Sequence, residues 1–146
     1  MPKQQPVQIT SFTSRYPGLS SVLVNDVIVS SKILHPSELQ IDIKTIDTGT
    51  YKALWDTGAT NCVITQKVVD ELGLKPIGMK KVHTASHTVD AEVYMASIFL
   101  PNRICMPNVH VTKGNITGHD MLIGMDIINQ GDFAVSNHNG KTTFSF

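Results

Sequence analysis

Leu54-Trp55-Asp56-Thr57-Gly58-Ala59-Thr60 is the stretch around which the rest of this chain is organised. Apolar residues lead into a carboxylate, and Gly58, Ala59 and the β-prone Val63-Ile64 lead out of it. A strand that heads for the core and stops at Asp56 leaves its carboxylate partly desolvated, which is costly unless the group is paired or hydrogen-bonded. From position alone, a buried Asp accepting from neighbouring backbone N–H groups explains this as well as a reactive one does. A second stretch, Met121-Leu122-Ile123-Gly124-Met125-Asp126, is an apolar run ended by Gly and followed by a helix-like segment.

Outward from Asp56 the pattern is one of short strands and many turns. Tyr51–Trp55 leads in as a strand, and Val63-Ile64 follows as another. Thr65 is placed to cap a helix carrying Val68, Val69 and Leu72 at helical spacing, closed by Gly73. Met79–Thr84 and Val89–Leu100 read as the arms of a long hairpin with its tip at Ala85-Ser86-His87. In the second arm Val89, Ala91, Val93 and Met95 alternate with Asp90, Glu92 and Tyr94. Ile104–Val111 is a further strand, Met121–Ile123 a short apolar one, and Asp126 a cap for one turn of helix ending at Gly131. Phe133–Val135 and Thr142–Phe146 form a last hairpin about Asn139-Gly140. Before Asp56, Leu39, Ile41 and Ile43 alternate with Gln40, Asp42 and Lys44, as in a half-buried strand. Val22–Val29, interrupted by Asn25-Asp26, fits either a hairpin or one bent strand. Residues 1–16 are polar and without a sustained period, and read as a loosely held N-terminal arm ahead of a single domain at 17–146. The expected class is all-β with one or two short helices, closed or sandwiched.

Composition narrows the function classes. Charged residues are 16% of the chain and apolar ones 41%, as in a globular rather than a disordered protein. Lys+Arg equals Asp+Glu at 12 each, so no net field favours nucleic acid or an anionic membrane. Cys62 and Cys105 are too few for a disulfide framework and lack zinc-site spacing, so they read as reduced, buried thiols. No apolar run is long enough to span a bilayer and no targeting segment is evident, so a cytoplasmic location is the expectation; Asn115-Ile116-Thr117 is then a chance match to a glycosylation acceptor.

Asp-Thr-Gly occurs twice, which supplies an internal control. Asp47-Thr48-Gly49 falls between two alternating segments and is explained as a turn. Only the Asp56 copy has an apolar approach. Ala53 to Thr60 resembles the active-site motif of the retropepsin-like aspartic proteases, and Leu122-Ile123-Gly124 resembles the apolar-apolar-Gly that packs under their catalytic loop. The resemblance spans about residues 39 to 146, with hairpin 79–100 where that family has its flap.

The resemblance implies a barrel of the acid-protease fold and an aspartic endopeptidase that uses no cofactor and no metal. Its partners would be a second copy of the chain and a peptide or protein substrate. Asp56 would be the catalytic residue, Thr57 would hydrogen-bond the opposing loop, Gly58 would allow close approach to substrate, and Ala59 would line the cleft. Leu122, Ile123 and Gly124 form the supporting motif, and Thr84, Ala85, Ser86 and His87 the flap tip over the substrate. Since two close carboxylates share one proton and this chain has no internal repeat, the second must come from another copy across a two-fold axis. The terminal strand Thr142–Phe146 would join the dimer sheet, with Phe144 and Phe146 on one face.

Departures from the family pattern are specific. Viral members follow the Ala with an acid that pairs with an Arg after the second-motif Gly; here those positions are Thr60 and Met125. The flap tip has no Gly. These keep open a competing class, a dimeric peptide-binding module of the same fold with weak or no catalysis, and a third, a monomeric structural β domain. His83 and His87 are four apart but lie on a strand and tip with no completing ligand nearby, and His119-Asp120 lacks a nucleophile. Arg15-Tyr16-Pro17 resembles an aromatic-Pro junction of the kind viral members cut, and self-trimming there competes with a plain turn at Pro17.

Overall fold

Alternating apolar and polar residues keep most of the chain extended, and Gly, Asn and Pro cut it into short strands. The computed structural model describes residues 10–38 and 41–146. In chain order the strands are β1 (Thr13–Arg15), β2 (Val24–Ser30), β3 (Thr48–Trp55), β4 (Val63–Ile64), β5 (Gly78–His83), β6 (Thr88–Phe99), β7 (Cys105–Lys113), β8 (Met121–Ile123), β9 (Ala134–Ser136) and β10 (Thr143–Ser145). Two short helices, α1 (Gln66–Leu72) and α2 (Met125–Ile128), complete the regular structure apart from single turns of 3-10 helix.

Seven strands hydrogen-bond in the order β2-β3-β8-β4-β7-β6-β5. β2 also pairs with β6 at Ile28–Phe99, Val29–Ile98 and Ser30–Ser97, which curls the sheet back on itself into a barrel that is not strictly closed, with β5 an edge strand on β6. The inner face packs Val27, Val29, Ala53, Ile64, Ile98 and Val111, all essentially inaccessible to solvent. Each branched side chain buried this way contributes about 1.5–3 kcal/mol relative to exposure. β8 positions the site. It runs parallel to β3, with Trp55 opposite Ile123, and antiparallel to β4, with Val63 opposite Leu122. The chain therefore leaves β3 at Asp56 next to where it leaves β8 at Gly124.

A second, three-stranded sheet has the order β1-β10-β9. The predicted last hairpin forms, and its six-residue connection, 137–142, reverses through a 3-10 turn with Asn139 and Gly140 both at positive φ (55° and 68°). Phe144 and Phe146 share the buried face. The role expected for the last strand needs correcting: β10 is central, bonded to β1 and β9 of its own chain, so it has no free edge for a partner. The open edges of this sheet are β1 and β9.

Several further expectations change. Residues 12–16 are not a loose arm: Phe12 is buried, Thr13–Arg15 pairs with β10, and the Tyr16 N–H donates to the Thr142 carbonyl (2.9 Å). Of the rest of the proposed arm, residues 1–9 lie outside the described residues. Val22–Val29 resolves to one strand, because all seven residues of β2 pair with β3 and Asp26 faces Lys52 across the ladder in a 2.6 Å ion pair. The strand predicted from Leu39 to Lys44 is absent where it is described. Asp42 accepts from the Lys44 N–H (3.0 Å) and the Thr45 hydroxyl donates to the Asp42 carbonyl (2.7 Å), closing a 3-10 turn at Ile43–Thr45; Leu39 and Gln40 lie outside the described residues. Local side-chain bonding outweighs a weak alternation there.

Asp47-Thr48-Gly49 is not a turn either, since Thr48 and Gly49 already pair with Ser30 and Val29 at the start of β3. A Cβ at Gly49 would meet the Tyr51 ring, 2.6 Å from Cε2, so glycine is required there by packing. In β6, Tyr94 was expected on the polar side but is buried, with its hydroxyl donating to Glu92. Among the described residues no helix is long and apolar enough to cross a membrane.

Candidate active site

Asp56 is half-buried at the end of β3, with its backbone fixed before its side chain is considered. Its N–H donates to the Ile123 carbonyl (2.9 Å) and its carbonyl accepts from the Ala59 N–H (3.2 Å). The Gly58 N–H donates to Asp56 Oδ1 (2.8 Å), orienting the carboxylate. A Cβ on Gly58 would lie 3.1 Å from that oxygen, so a larger residue would press on it. Thr57 is exposed, and its hydroxyl has no partner among the described residues. Ala59 is half-buried beside it.

The second motif packs against this loop through backbone. The Met125 N–H donates to the Ala59 carbonyl (2.8 Å) and the Asp126 N–H to the Thr60 carbonyl (3.2 Å). Gly124 is buried so tightly that a Cβ would sit 2.6 Å from the Asn61 carbonyl oxygen and 2.9 Å from that of Ala59. The obstacle is backbone, which cannot swing aside. Gly124→Ala is therefore expected to destabilise the fold by about 1–3 kcal/mol, as overpacking does, with a matching fall in the urea midpoint. An unchanged midpoint would mean that the two motifs do not press together.

Asp126 has a role the sequence did not disclose. It does not cap α2, whose N-cap is Gly124. Its carboxylate instead accepts from the Cys62 N–H (3.0 Å), from the Cys62 thiol (3.1 Å) and from the Ile127 N–H (3.0 Å). This ties the end of the Asp56 loop to α2 where Thr60 and Met125 offer no ion pair. The available signal was positional: Cys62 and Asp126 each lie two residues beyond stretches already expected to touch. Burial pushes the Cys62 thiol well above its ordinary range, so it stays protonated and able to donate.

That shift has a sign in the stability curve. A thiol held neutral in the fold ionises only in the unfolded chain, so its contribution is complete below about pH 9 and is lost as the pH rises beyond it. The denaturant midpoint is expected to fall above pH 9, with Cys62→Ala removing part of the slope; identical alkaline slopes in the two proteins would count against it.

The carboxylate opens onto a cleft of about 600 Å³ lined by Asp56, Gly58, Ala59, Val63, Val82 and Leu122 together with Lys80, Lys81 and Thr84. A second cavity of about 600 Å³ shares Val63, Val82, Thr84 and Leu122 and continues past His87, Val89, Ala91 and Ile116. Of the predicted flap residues, Thr84 and Ala85 line the first cavity and Thr84 and His87 the second, while Ser86 lines neither. The tip is tied by its own side chains. The Thr84 hydroxyl donates to the His87 carbonyl (2.8 Å), the His87 N–H donates to Thr84 Oγ1 (3.1 Å), and His83 Nδ1 meets Thr88 Oγ1 (2.8 Å). These bonds do what a glycine turn would otherwise do. On the other side of Asp56 lies a cavity of about 450 Å³ lined by Val22, Leu23, Trp55, Thr57, Phe133 and Val135. Val22 and Val135 are each over 40% exposed there, which leaves apolar surface next to the unpartnered Thr57 hydroxyl.

His119-Asp120 has a structural use: Asp120 accepts from the Lys52 N–H (2.9 Å) and the Lys67 ammonium (3.2 Å), away from any nucleophile. Cys62 is buried and Cys105 half-buried, both as free thiols.

Residues 42–130 match the family model described as gag-polyprotein putative aspartyl protease. The chain is similar in fold to a retropepsin-like aspartic protease from Rickettsia conorii, with a TM-score of 0.57 at 14% identity over 94% of each chain. It also matches the retroviral protease-like domain of Ddi1 from Leishmania major, at TM-score 0.42 and 18% identity over 66% of this chain and 85% of that one. Simian foamy virus protease matches at TM-score 0.42 and 19% identity, over 55% and 81% of the two chains. No curated protein matches the sequence.

Proposed function

The chain belongs to the retropepsin-like aspartic proteases, through the gag-polyprotein putative aspartyl protease family, and on that premise we propose that it is an endopeptidase whose dyad is Asp56 from each of two copies. The observation that carries this reading is the position of Asp56: an oriented carboxylate at the head of an open cleft, next to a threonine hydroxyl without a partner among the described residues. One carboxyl group cannot be the ionised base and the protonated acid at the same moment. Two brought together across a two-fold axis share a proton, because both cannot be ionised at close range. The ionised member then takes a proton from the attacking water while the other supplies one to the leaving nitrogen.

A second copy seated on the Val22, Phe133 and Val135 face would place its Thr57 and Asp56 beside the first pair and cover that apolar surface. Such a pair titrates as a unit, so hydrolysis should have an acidic optimum and fall once rising pH removes the shared proton. Cleavage of a peptide library between about pH 4 and 7, with a pepstatin-like transition-state mimic as inhibitor, tests the proposal. Inhibitable cleavage that weakens toward neutral pH supports it. The hydrogen bonds across the flap tip favour one alternative, a module that holds peptides under a stiff flap without cutting them. A folded dimer that binds library peptides and cleaves none would establish that alternative.

A further inference from the structure

Among the described residues, Lys80 is the cleft cation whose side chain has no partner. β5 pairs with β6 in the register Lys80–Ala91, Lys81–Asp90 and Val82–Val89. Side chains on a strand alternate, so Lys80 shares a face with Val82, which lines both cavities; Lys81 and His83, on the alternate face with Met79, also border the first cavity, but each already has a partner. The charges around it are otherwise matched. Lys81 pairs with Asp90 (3.1 Å) and Lys113 with Glu92 (2.9 Å), and of the carboxylates lining the two cavities only Asp56 and Asp90 are present. Among the described residues the Lys80 ammonium makes no ion pair or hydrogen bond. The walls it overlooks are apolar: Val63, Val82 and Leu122 near Asp56, then Val89 and Ile116.

We infer that Lys80 selects substrates carrying an acidic side chain a short way along the strand from an apolar residue at the scissile bond. This rests on the dyad reading, and that reading doubles it. Two copies related by a two-fold axis present one Lys80 on each side of the cut, so an acid is favoured on either side and most of all on both. An extended substrate advances about 3.3 Å per residue, with alternate side chains on one face, so the preference should recur at alternate positions rather than at every one. Specificity of this kind has a repulsive half as well: a basic residue at the same position would be rejected.

The test compares peptides identical at the apolar scissile pair and carrying Glu, Gln or Lys at each flanking position in turn. Glu over Gln by about fivefold in kcat/KM at low salt is expected, since a solvent-facing pair is worth no more than about that, and the ratio should shrink as salt is raised. Lys80→Glu should reverse the order, so that the Lys peptide outruns the Glu peptide, whereas Lys141→Glu, the same charge change at an exposed residue outside both cavities, should leave the order as it was. The same three peptides titrated onto Asp56→Asn protein give their order of affinity without any turnover, which separates this inference from the dyad. Glu and Gln peptides that bind and react alike, or an order that survives Lys80→Glu, would overturn it.

Discussion

Asp56→Asn protein is expected to remain folded and to assemble as the wild type does, yet to lose hydrolysis by at least about a thousandfold in kcat/KM. The substitution keeps the shape of the side chain and leaves Oδ1 able to accept the Gly58 N–H, so the loop keeps its local bond. What it removes is the charge and the exchangeable proton. Mixing sharpens the test. If each active unit needs Asp56 from two copies, equal amounts of wild type and variant, unfolded and refolded together, should give about a quarter of the wild-type activity per dimer rather than half. A residual activity near half would mean that each chain works alone and would end the dyad reading. The variant is also the control for a contaminating protease, whose activity would not follow the mixing ratio.

The parts of the chain that were legible in advance are those where one physical signal acts alone. The alternation of Val89–Met95 marked β6 as a strand although it misplaced Tyr94, helical spacing with a closing glycine gave α1, and the Asn139-Gly140 pair gave the last hairpin. The juxtaposition of Asp56 and Gly124 was readable only through the resemblance of Leu122-Ile123-Gly124 to the family's second motif. Legibility failed where side chains answer to partners remote in sequence. Asp26 looks like a turn residue until Lys52 is seen opposite it, and Asp126 looks like a helix cap until Cys62, 64 positions away, is found donating to it. The Asp47 triplet failed for a related reason: its glycine serves the Tyr51 ring, a contact that no local turn rule contains. The terminal strand was expected to be shared between copies, but the pairing of β1 with β10 depends on residues Thr13–Arg15, whose composition reads as loose polar chain. Phe12, the one large apolar residue just before them, was the signal that they are anchored.

That anchoring leads to the largest stability effect in the molecule, Phe144→Ala. Phe144 is fully buried at the centre of β10, where it meets Trp55 (5.9 Å between ring centres), Phe12 (6.1 Å, edge-on) and Phe133 (6.2 Å). Trp55 in turn stacks on Phe133 and contacts Phe146, and it is the residue immediately before Asp56. The three-stranded sheet and β3, the strand that leads into Asp56, are thus joined through one aromatic cluster, and Phe144 has no polar atom or surface exposure through which a smaller residue could be accommodated. Truncating a buried Phe to Ala costs about 3–5 kcal/mol, a large share of the total stability of a domain this size. At about 2–4 °C per kcal/mol, the melting temperature should fall by roughly 10–15 °C. Because the cavity would open under Trp55, activity at low temperature should fall before the fold is lost, as the approach to Asp56 loosens. Val135→Ala, on the exposed edge strand of the same sheet, should by contrast change the melting temperature of the isolated chain little, since its side chain is 46% exposed. If Phe144→Ala melts within a few degrees of wild type, the terminal sheet is an appendage and not part of the structure that holds Asp56 in place.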